Sequence, residues 1–350
     1  MTLRREYKLN RYKGIIVVDV IGSPLWRAAT SHSQRNNVEI LSAFDYPTVR
    51  KLVRAIVIRK PDFVIFSWRG ALDRVLQSNY SKQKLLTLDP WIFLLIPDYL
   101  GVKHFSKEEQ NRLNLCDGIL VTSSQLVCEY QELYQVSEIQ LLHDLPDLDL
   151  IRDVSEKNFM RTKNRVIWVG NSKWGERAGY QDHKGFRRFV LPVENVVNSK
   201  IEGASFRLID TAYKKLPNIN VLEEIANSEC LIITSDSEGT ALPILEAAAL
   251  GVPVVSFDVG IASELFGGDL KDQISPRDLE LLASKIESTL ANFEYLSYAF
   301  KSRFEEYRLE VMDDLARIHF SPRKNGEWRT NKSNYNFIHS LKWGYRWLKR

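Results

Sequence analysis

The sequence predicts a two-domain α/β protein whose short buried strands alternate with helices, as in doubly wound parallel sheets. Three observations carry this expectation. Apolar, β-branched runs of four to six residues recur along the chain, separated by segments of helical period. A chain of 350 residues exceeds the usual single core. The rhythm breaks once, from His143 to Lys163, in a polar, aspartate-rich stretch without apolar period that reads as a linker. The expected division is therefore 1–150, then 151–321, followed by a last segment, 322–350.

In the first domain Ile15–Val20 reads as the opening strand. Gly22-Ser23-Pro24 follows, with Ser23 a suitable N-cap and Pro24 a suitable first helical residue. Val38–Leu41 and Phe63–Phe66 read as the next strands, and Leu52, Val53, Ile56 and Val57 give a helical apolar face between them. Ile92–Ile96, Gly118–Thr122 and Glu138–Leu142 bring the set to about six. Ser123-Ser124 is placed to cap a helix carrying Leu126, Val127, Tyr130 and Leu133. The second series starts at Val166–Val169 and continues with Phe206–Ile209, Cys230–Thr234 and Pro253–Phe257. A helix is expected from Ser275-Pro276 to Leu290 and a longer one from Phe293 to His319, with Pro322 marking its end.

The richest stretch is Ser235–Glu264, SDSEGTALPILEAAALGVPVVSFDVGIASE. It reads as a strand exit, an acidic-glycine loop, a short helix and a second strand. Pro243 suits the first helical turn, and Gly251 suits the position just past the helix end. Ligands of open parallel α/β sheets bind beyond the carboxyl ends of strands, where loops turn into helices. Glu238 lies at such an edge, and Glu246 about one turn inside the helix. A helix N-terminus favours anions such as a diphosphate, and a carboxylate accepts hydrogen bonds from sugar or ribose hydroxyls.

The whole arrangement of Glu238-Gly239, Leu242-Pro243, Leu245-Glu246-Ala247, Gly251-Val252-Pro253-Val254, Gly260 and Glu264 resembles the donor-site signature of the retaining glycosyltransferases of family four. The resemblance implies a GT-B fold: two Rossmann-like domains facing a cleft, with the C-terminal helix crossing back to the first. It also implies Glu238 at the donor sugar, Glu246 at the ribose, and backbone N–H groups around Thr240-Ala241, with Gly239 and Leu242, near sugar or phosphate. The family commonly has Phe-Gly where this chain has Thr240-Ala241, so sugar preference does not carry over.

On the phosphate side, strand Arg165–Gly170 ends in glycine, which lets backbone approach an anion closely. In the resembled family a cation follows that glycine, and Lys-Gly comes next; both cations hold the donor diphosphate. Gly170 and Lys184-Gly185 fit, and the first cation is either Lys173 or Arg177, in a loop longer than the common form. The implied chemistry is metal-independent, retaining transfer from a nucleotide-diphosphate sugar, catalysed by Glu238, Lys184 and Lys173, with no cofactor and no metal site.

The acceptor side is less legible. Gly22-Ser23 loosely matches the family's glycine loop facing the donor phosphate. Where many members carry His-Asp, this chain reads Ile96-Pro97-Asp98-Tyr99. Asp98 is open between orienting an acceptor hydroxyl and capping a turn. His104 and His143 read as ordinary polar residues. Cys116-Asp117-Gly118 with Ser123-Ser124 looks like the family's last N-domain strand and helix start.

The formal charge of +4 is uneven. The first thirteen residues contribute +4 and residues 323–350 contribute +7, which leaves the middle near −7. This excludes a global nucleic-acid surface and confines basic character to the ends. The tail interleaves Trp343, Tyr345 and Trp347 with Lys342, Arg346, Lys349 and Arg350, a mixture that suits either an anionic membrane surface or packing on the first domain. No apolar stretch approaches a bilayer's width. Three cysteines, odd in number and without metal-like spacing, read as reduced, mostly buried thiols. The expectation is a cytoplasmic glycosyltransferase, peripheral at the inner membrane face, using a nucleotide-sugar donor and a saccharide or lipid-linked acceptor in surface polysaccharide or glycolipid synthesis. The alternatives are a non-catalytic nucleotide-sugar-binding subunit and a GT-B sugar-nucleotide epimerase.

Overall fold

The computed structural model describes residues 12–34, 36–98, 105–136, 139–157, 160–176 and 179–319. The chain forms two compact units, each built on its own parallel sheet. Among the described residues, one comprises those of 12–122, 127–142 and 314–319, the other those of 123–126 and 143–313.

The first unit carries β1 (Gly14–Val18), β2 (Val38–Ser42), β3 (Phe63–Phe66), β4 (Trp91–Ile96), β5 (Gly118–Val121) and β6 (Ile139–Leu141), in the order β2-β1-β3-β4-β5-β6. Every pair is parallel. β1 and β3 to β5 are almost wholly buried along their length, which is why they read as unbroken apolar runs rather than alternating ones. The chain leaves β1 towards β2 on one side and returns to β3 on the other, so the topological switch lies beside β1. Ser23 caps the first helix, its Oγ accepting from the Trp26 N–H. Leu315 and Ile318, near the end of the described residues, lie in this unit's core with Ile16, Phe63 and Leu120.

The second unit carries β7 (Arg165–Gly170), β8 (Ser205–Asp210), β9 (Cys230–Ile233) and β10 (Val254–Ser256), ordered β10-β9-β7-β8 and again parallel. Its core joins these strands to the helices Leu242–Ala249, Leu279–Ala291 and Phe293–Val311.

Three details differ from the sequence expectation. The stretch read as a linker contains the helix Leu148–Ser155, capped by Asp147 and anchored through Ile151 and Val154. The helix expected from Ser275-Pro276 starts at Leu279, because Asp278 is the residue whose carboxylate caps it by accepting from the Leu281 N–H. The long C-terminal helix stops at Val311, and a short one follows at Asp314–Arg317. Of the free cysteines only Cys230 is buried; Cys128 is exposed. No helix among the described residues is long and apolar enough to cross a membrane. The basic aromatic tail, its proposed packing and Pro322 lie outside the described residues.

Candidate functional site

The site in the second unit is built where β7 and β9, adjacent and parallel, end. The loop after β7 runs to Gly185 and the loop after β9 runs to Ala241. They are stitched together by backbone and side chain. The Asp236 N–H donates to the His183 carbonyl at 2.8 Å, and the Thr234 hydroxyl donates to the Lys184 carbonyl at 2.8 Å. Nε2–H of His183 donates to the Ser237 carbonyl at 2.9 Å. Burial and the Lys184 charge push the His183 imidazole below its usual range, against the pull of Glu238, the Ser237 hydrogen bond and Asp236.

Gly185 is where the two loops touch. Its φ is +65°, and a Cβ there would fall 2.2 Å from the Thr234 carbonyl oxygen. Only glycine fits. The chain then enters a wider π-type turn, Phe186–Val190, and the helix Leu191–Lys200. Asp182 accepts from the Arg187 and Arg188 N–H groups at that turn. Asp236 holds Arg188 at 2.8 Å and Arg277 at 3.1 Å, while Arg277 also donates to the Ser235 and Asp236 carbonyls.

These contacts bring Lys184 and Glu238 together. The Lys184 ammonium is hydrogen-bonded to Glu238 Oε1, which also accepts from the Ser235 hydroxyl. Both side chains are partly exposed, at 17% and 16%. The Lys184 Nζ lies 5.3 Å from the Trp174 ring, which in turn meets the His183 ring at 4.5 Å, tilted by 34°. A cation and an anion, each partly exposed, therefore sit together at the carboxyl edge of the sheet.

The loop beyond Glu238 is held from behind. Gly239 and Thr240 are buried, and the Thr240 hydroxyl donates to Asp144 Oδ2 at 2.6 Å. Asp144 is 5% exposed, and its Oδ1 is buried with no hydrogen-bond partner among the described residues. Burial pushes the Asp144 carboxyl up to about 6, moderated by the Thr240 hydrogen bond and the neighbouring His143. Ala241 has φ +59°, a left-handed conformation uncommon outside glycine. It starts the helix Leu242–Ala249, which has Pro243 in its first turn and no side-chain cap. Such an N-terminus favours an anion. Gly260 closes the back of the loop, since a Cβ there would lie 3.0 Å from the Gly239 and Thr240 carbonyl oxygens.

The remaining sequence-derived residues fall in several places. Gly170 ends β7 under the Trp168 ring, where a Cβ would lie 2.5 Å from the indole, so its glycine answers to packing. Lys173 is exposed and stands over the Tyr213 ring at 4.5 Å. Arg177 and His104 lie outside the described residues. Leu242 begins its helix half-buried, and Glu246 is 3% exposed inside the unit. Gly22, with φ +80°, turns the chain after β1 of the first unit, with open space beside it.

Sequence reasoning did not find three other clusters. Asp98 accepts from Arg69 at 2.8 Å, and Arg69 also donates to Glu109 and Tyr130. Arg112 joins Glu109 and Asp73 in the same network. Glu264 accepts from the Ser124 N–H at 2.7 Å, from its hydroxyl at 2.6 Å and from His143 Nε2 at 2.9 Å. Burial alone would raise Glu264, but these hydrogen bonds hold it below the usual carboxylate range. The third cluster is the Asp144–Thr240 brace. Among the described residues no three or more His, Cys, Asp or Glu gather closely enough to hold a metal ion.

Comparison with known proteins bears on these features. Residues 189–292 match the family model described as glycosyl transferases group 1. Over 104 residues the chain is 36% identical to TuaC of Bacillus subtilis (strain 168), named as a teichuronic acid biosynthesis glycosyltransferase. That stretch is 29% of this chain and spans only 23% of TuaC. Among solved structures, sucrose-phosphate synthase from Thermosynechococcus elongatus is similar with a TM-score of 0.62 at 14% identity, over 87% of this chain and 97% of that one. HepE of Anabaena, solved with UDP and glucose, is similar at 0.59 and 12% identity, over 87% and 98%. TarM of S. aureus, solved with UDP among its ligands, is similar at 0.55 and 16% identity, over 77% of this chain and 57% of TarM. The fold is thus the two-domain Rossmann-like architecture of the GT-B glycosyltransferases, and a segment of its second unit matches the model of the group 1 glycosyl transferases.

Proposed function

We propose that the protein is a retaining, metal-independent glycosyltransferase that moves a sugar from a nucleotide-diphosphate donor to a saccharide or lipid-linked acceptor in surface polysaccharide synthesis. The observation that carries this reading is the Lys184–Glu238 pair, fixed by the Gly185 contact at the carboxyl edge of β7 and β9. Breaking a sugar–phosphate bond develops negative charge on the leaving diphosphate and positive charge at the anomeric carbon. Lys184 and the uncapped start of the helix Leu242–Ala249 suit the first, and the Glu238 carboxylate suits the second. With donor bound, Lys184 exchanges its contact with Glu238 for the diphosphate, which frees Glu238 to accept from sugar hydroxyls.

The family match over residues 189–292 supports this role, and the UDP bound in the HepE and TarM structures makes UDP the first nucleotide to try. Peripheral contact of the basic tail with an anionic membrane on the cytoplasmic side belongs to the same proposal.

The test is calorimetric titration with UDP, GDP and ADP, then their sugars, followed by assays of donor turnover. Saturable binding of one nucleotide is expected, weakened tenfold or more in Lys184→Ala, as loss of a charge-assisted contact implies. In Glu238→Gln, nucleotide binding should be kept while turnover falls on the order of a hundredfold or more. If no nucleotide binds, the donor-site assignment is wrong. Binding without turnover on any acceptor would identify a nucleotide-sugar-binding subunit, and donor conversion without acceptor an epimerase.

A further inference from the structure

The first unit contains a cavity of about 370 Å³, within the range of small-molecule sites (roughly 300–1,000 Å³). Tyr46, Thr48, Leu52, Ala71, Arg74 and Gln77 contribute to its wall. It is formed by the loop leaving β2 and by the helix Arg69–Gln77, which follows β3. The β2 loop packs against the exit of β1, where the Phe44 N–H donates to the Asp19 carbonyl at 3.2 Å. The cavity therefore lies at the carboxyl edge of the sheet, beside the switch point at β1. Open α/β sheets bind ligands at such positions.

Its chemistry is set by Arg74. The guanidinium carbon sits 5.4 Å from the Phe44 ring and 5.0 Å from the Trp68 ring. Two aromatic faces fix the group and repay part of its desolvation. No carboxylate completes the repayment. Arg74 makes no ion pair or hydrogen bond among the described residues, and burial pulls its pKa down with no opposing acid. The nearest acid in sequence, Asp73, is taken by Arg112, and the exposed Asp45 in the β2 loop forms no ion pair with Arg74. Arg50, Lys51 and Arg54 on the exposed face of the helix Val49–Arg59 add positive charge, none of it paired to a carboxylate among the described residues. A half-buried guanidinium with its donors unused, in a cavity also lined by hydroxyl and amide groups, is built for an anion from outside the chain.

We propose that this cavity binds the phosphate or carboxylate of an anionic saccharide, with Arg74 as its cation. On the glycosyltransferase reading above, that saccharide is the acceptor; the binding itself does not depend on transfer.

The test is calorimetry on the full chain with glucose 6-phosphate, glucose and UDP, for wild type, Arg74→Gln and Val49→Phe. Val49→Phe narrows the cavity from its rim and leaves the guanidinium in place. Glucose 6-phosphate should bind at least tenfold more tightly than glucose. Arg74→Gln should weaken it tenfold or more, as loss of one charge-assisted contact implies, and Val49→Phe should weaken it tenfold or more by filling the space the sugar needs, while UDP affinity stays unchanged. Equal binding of glucose 6-phosphate by wild type and Arg74→Gln would overturn the proposal. So would Arg74-dependent binding to phosphatidylglycerol vesicles without any binding of glucose 6-phosphate, since that places the anion on a lipid. If UDP binds to none of the proteins but glucose 6-phosphate binding depends on Arg74, the donor-site reading fails and the cavity stands.

Discussion

The hydroxyl of Thr240 donates to Oδ2 of Asp144 at 2.6 Å, joining the loop that carries Glu238 to the segment that follows β6. Neither residue is hydrogen-bonded to Lys184 or Glu238 among the described residues, yet the bond fixes the residue just before the left-handed Ala241. Asp144 is thus a positioning residue for the loop, and its burial makes the support sensitive to protonation.

The sign of that sensitivity follows from the raised carboxyl. Its folded value of about 6 exceeds its ordinary value of 3.8, so between those limits the folded state binds more protons than the unfolded one. Asp144 therefore costs the fold about 3 kcal/mol above pH 6, and the cost disappears as pH falls below 4. Asp144→Asn keeps an oxygen for Thr240 and removes the charge. Denaturant unfolding should show the stability of wild type relative to Asp144→Asn rising by about that amount from pH 7.5 to roughly pH 4. A difference that stays constant with pH would contradict a buried, titrating Asp144.

Gly185 admits no side chain. Alanine there meets both a φ of +65° and the Thr234 carbonyl oxygen. Gly185→Ala should cost at least about 2 kcal/mol of stability and separate the two loops that align Lys184 with Glu238. Chemical denaturation measures the first effect. Nucleotide titration under conditions where the variant remains folded measures the second. Wild-type behaviour in both would mean that the loops are not in contact.

Glu264 works in the opposite direction to Asp144. Its hydrogen bonds from Ser124 and His143 hold it below the usual carboxylate range, so its contribution is present above its unfolded pKa. That contribution is lost as pH falls through the lowered folded value. Glu264→Gln should flatten this part of the acid limb when unfolding midpoints are followed from roughly pH 6 to pH 3. An identical acid limb in both proteins would show that Glu264 is not the group being titrated.

Much of this was readable because buried parallel strands leave little freedom. Phe63–Phe66 emerged with the expected bounds, and the other strands shifted by a residue or two at their ends. The Gly185 and Glu238 loops were legible because each couples a glycine to a charge at a strand exit. What sequence does not reveal is a partnership between distant side chains. Asp144 sits 96 positions from Thr240, and Arg69 lies 40 from Glu109; nothing local marks either pair. Local signals also misled. Ser275-Pro276 resembles a helix start, but Asp278, with its carboxylate free to cap, fixed the first turn three residues later.

Trp174 lies against both His183 and Lys184, which gives the site an optical handle. An indole's emission shifts with the charge along its long axis, and here a lysine ammonium lies 5.3 Å from the ring. Any ligand that draws Lys184 away from Glu238 must alter that local field. The chain holds eight tryptophans, and a Trp174→Phe variant separates this one's change from the rest. The protein thus carries its own fluorophore at the place where donor binding is proposed, and needs no label to report it.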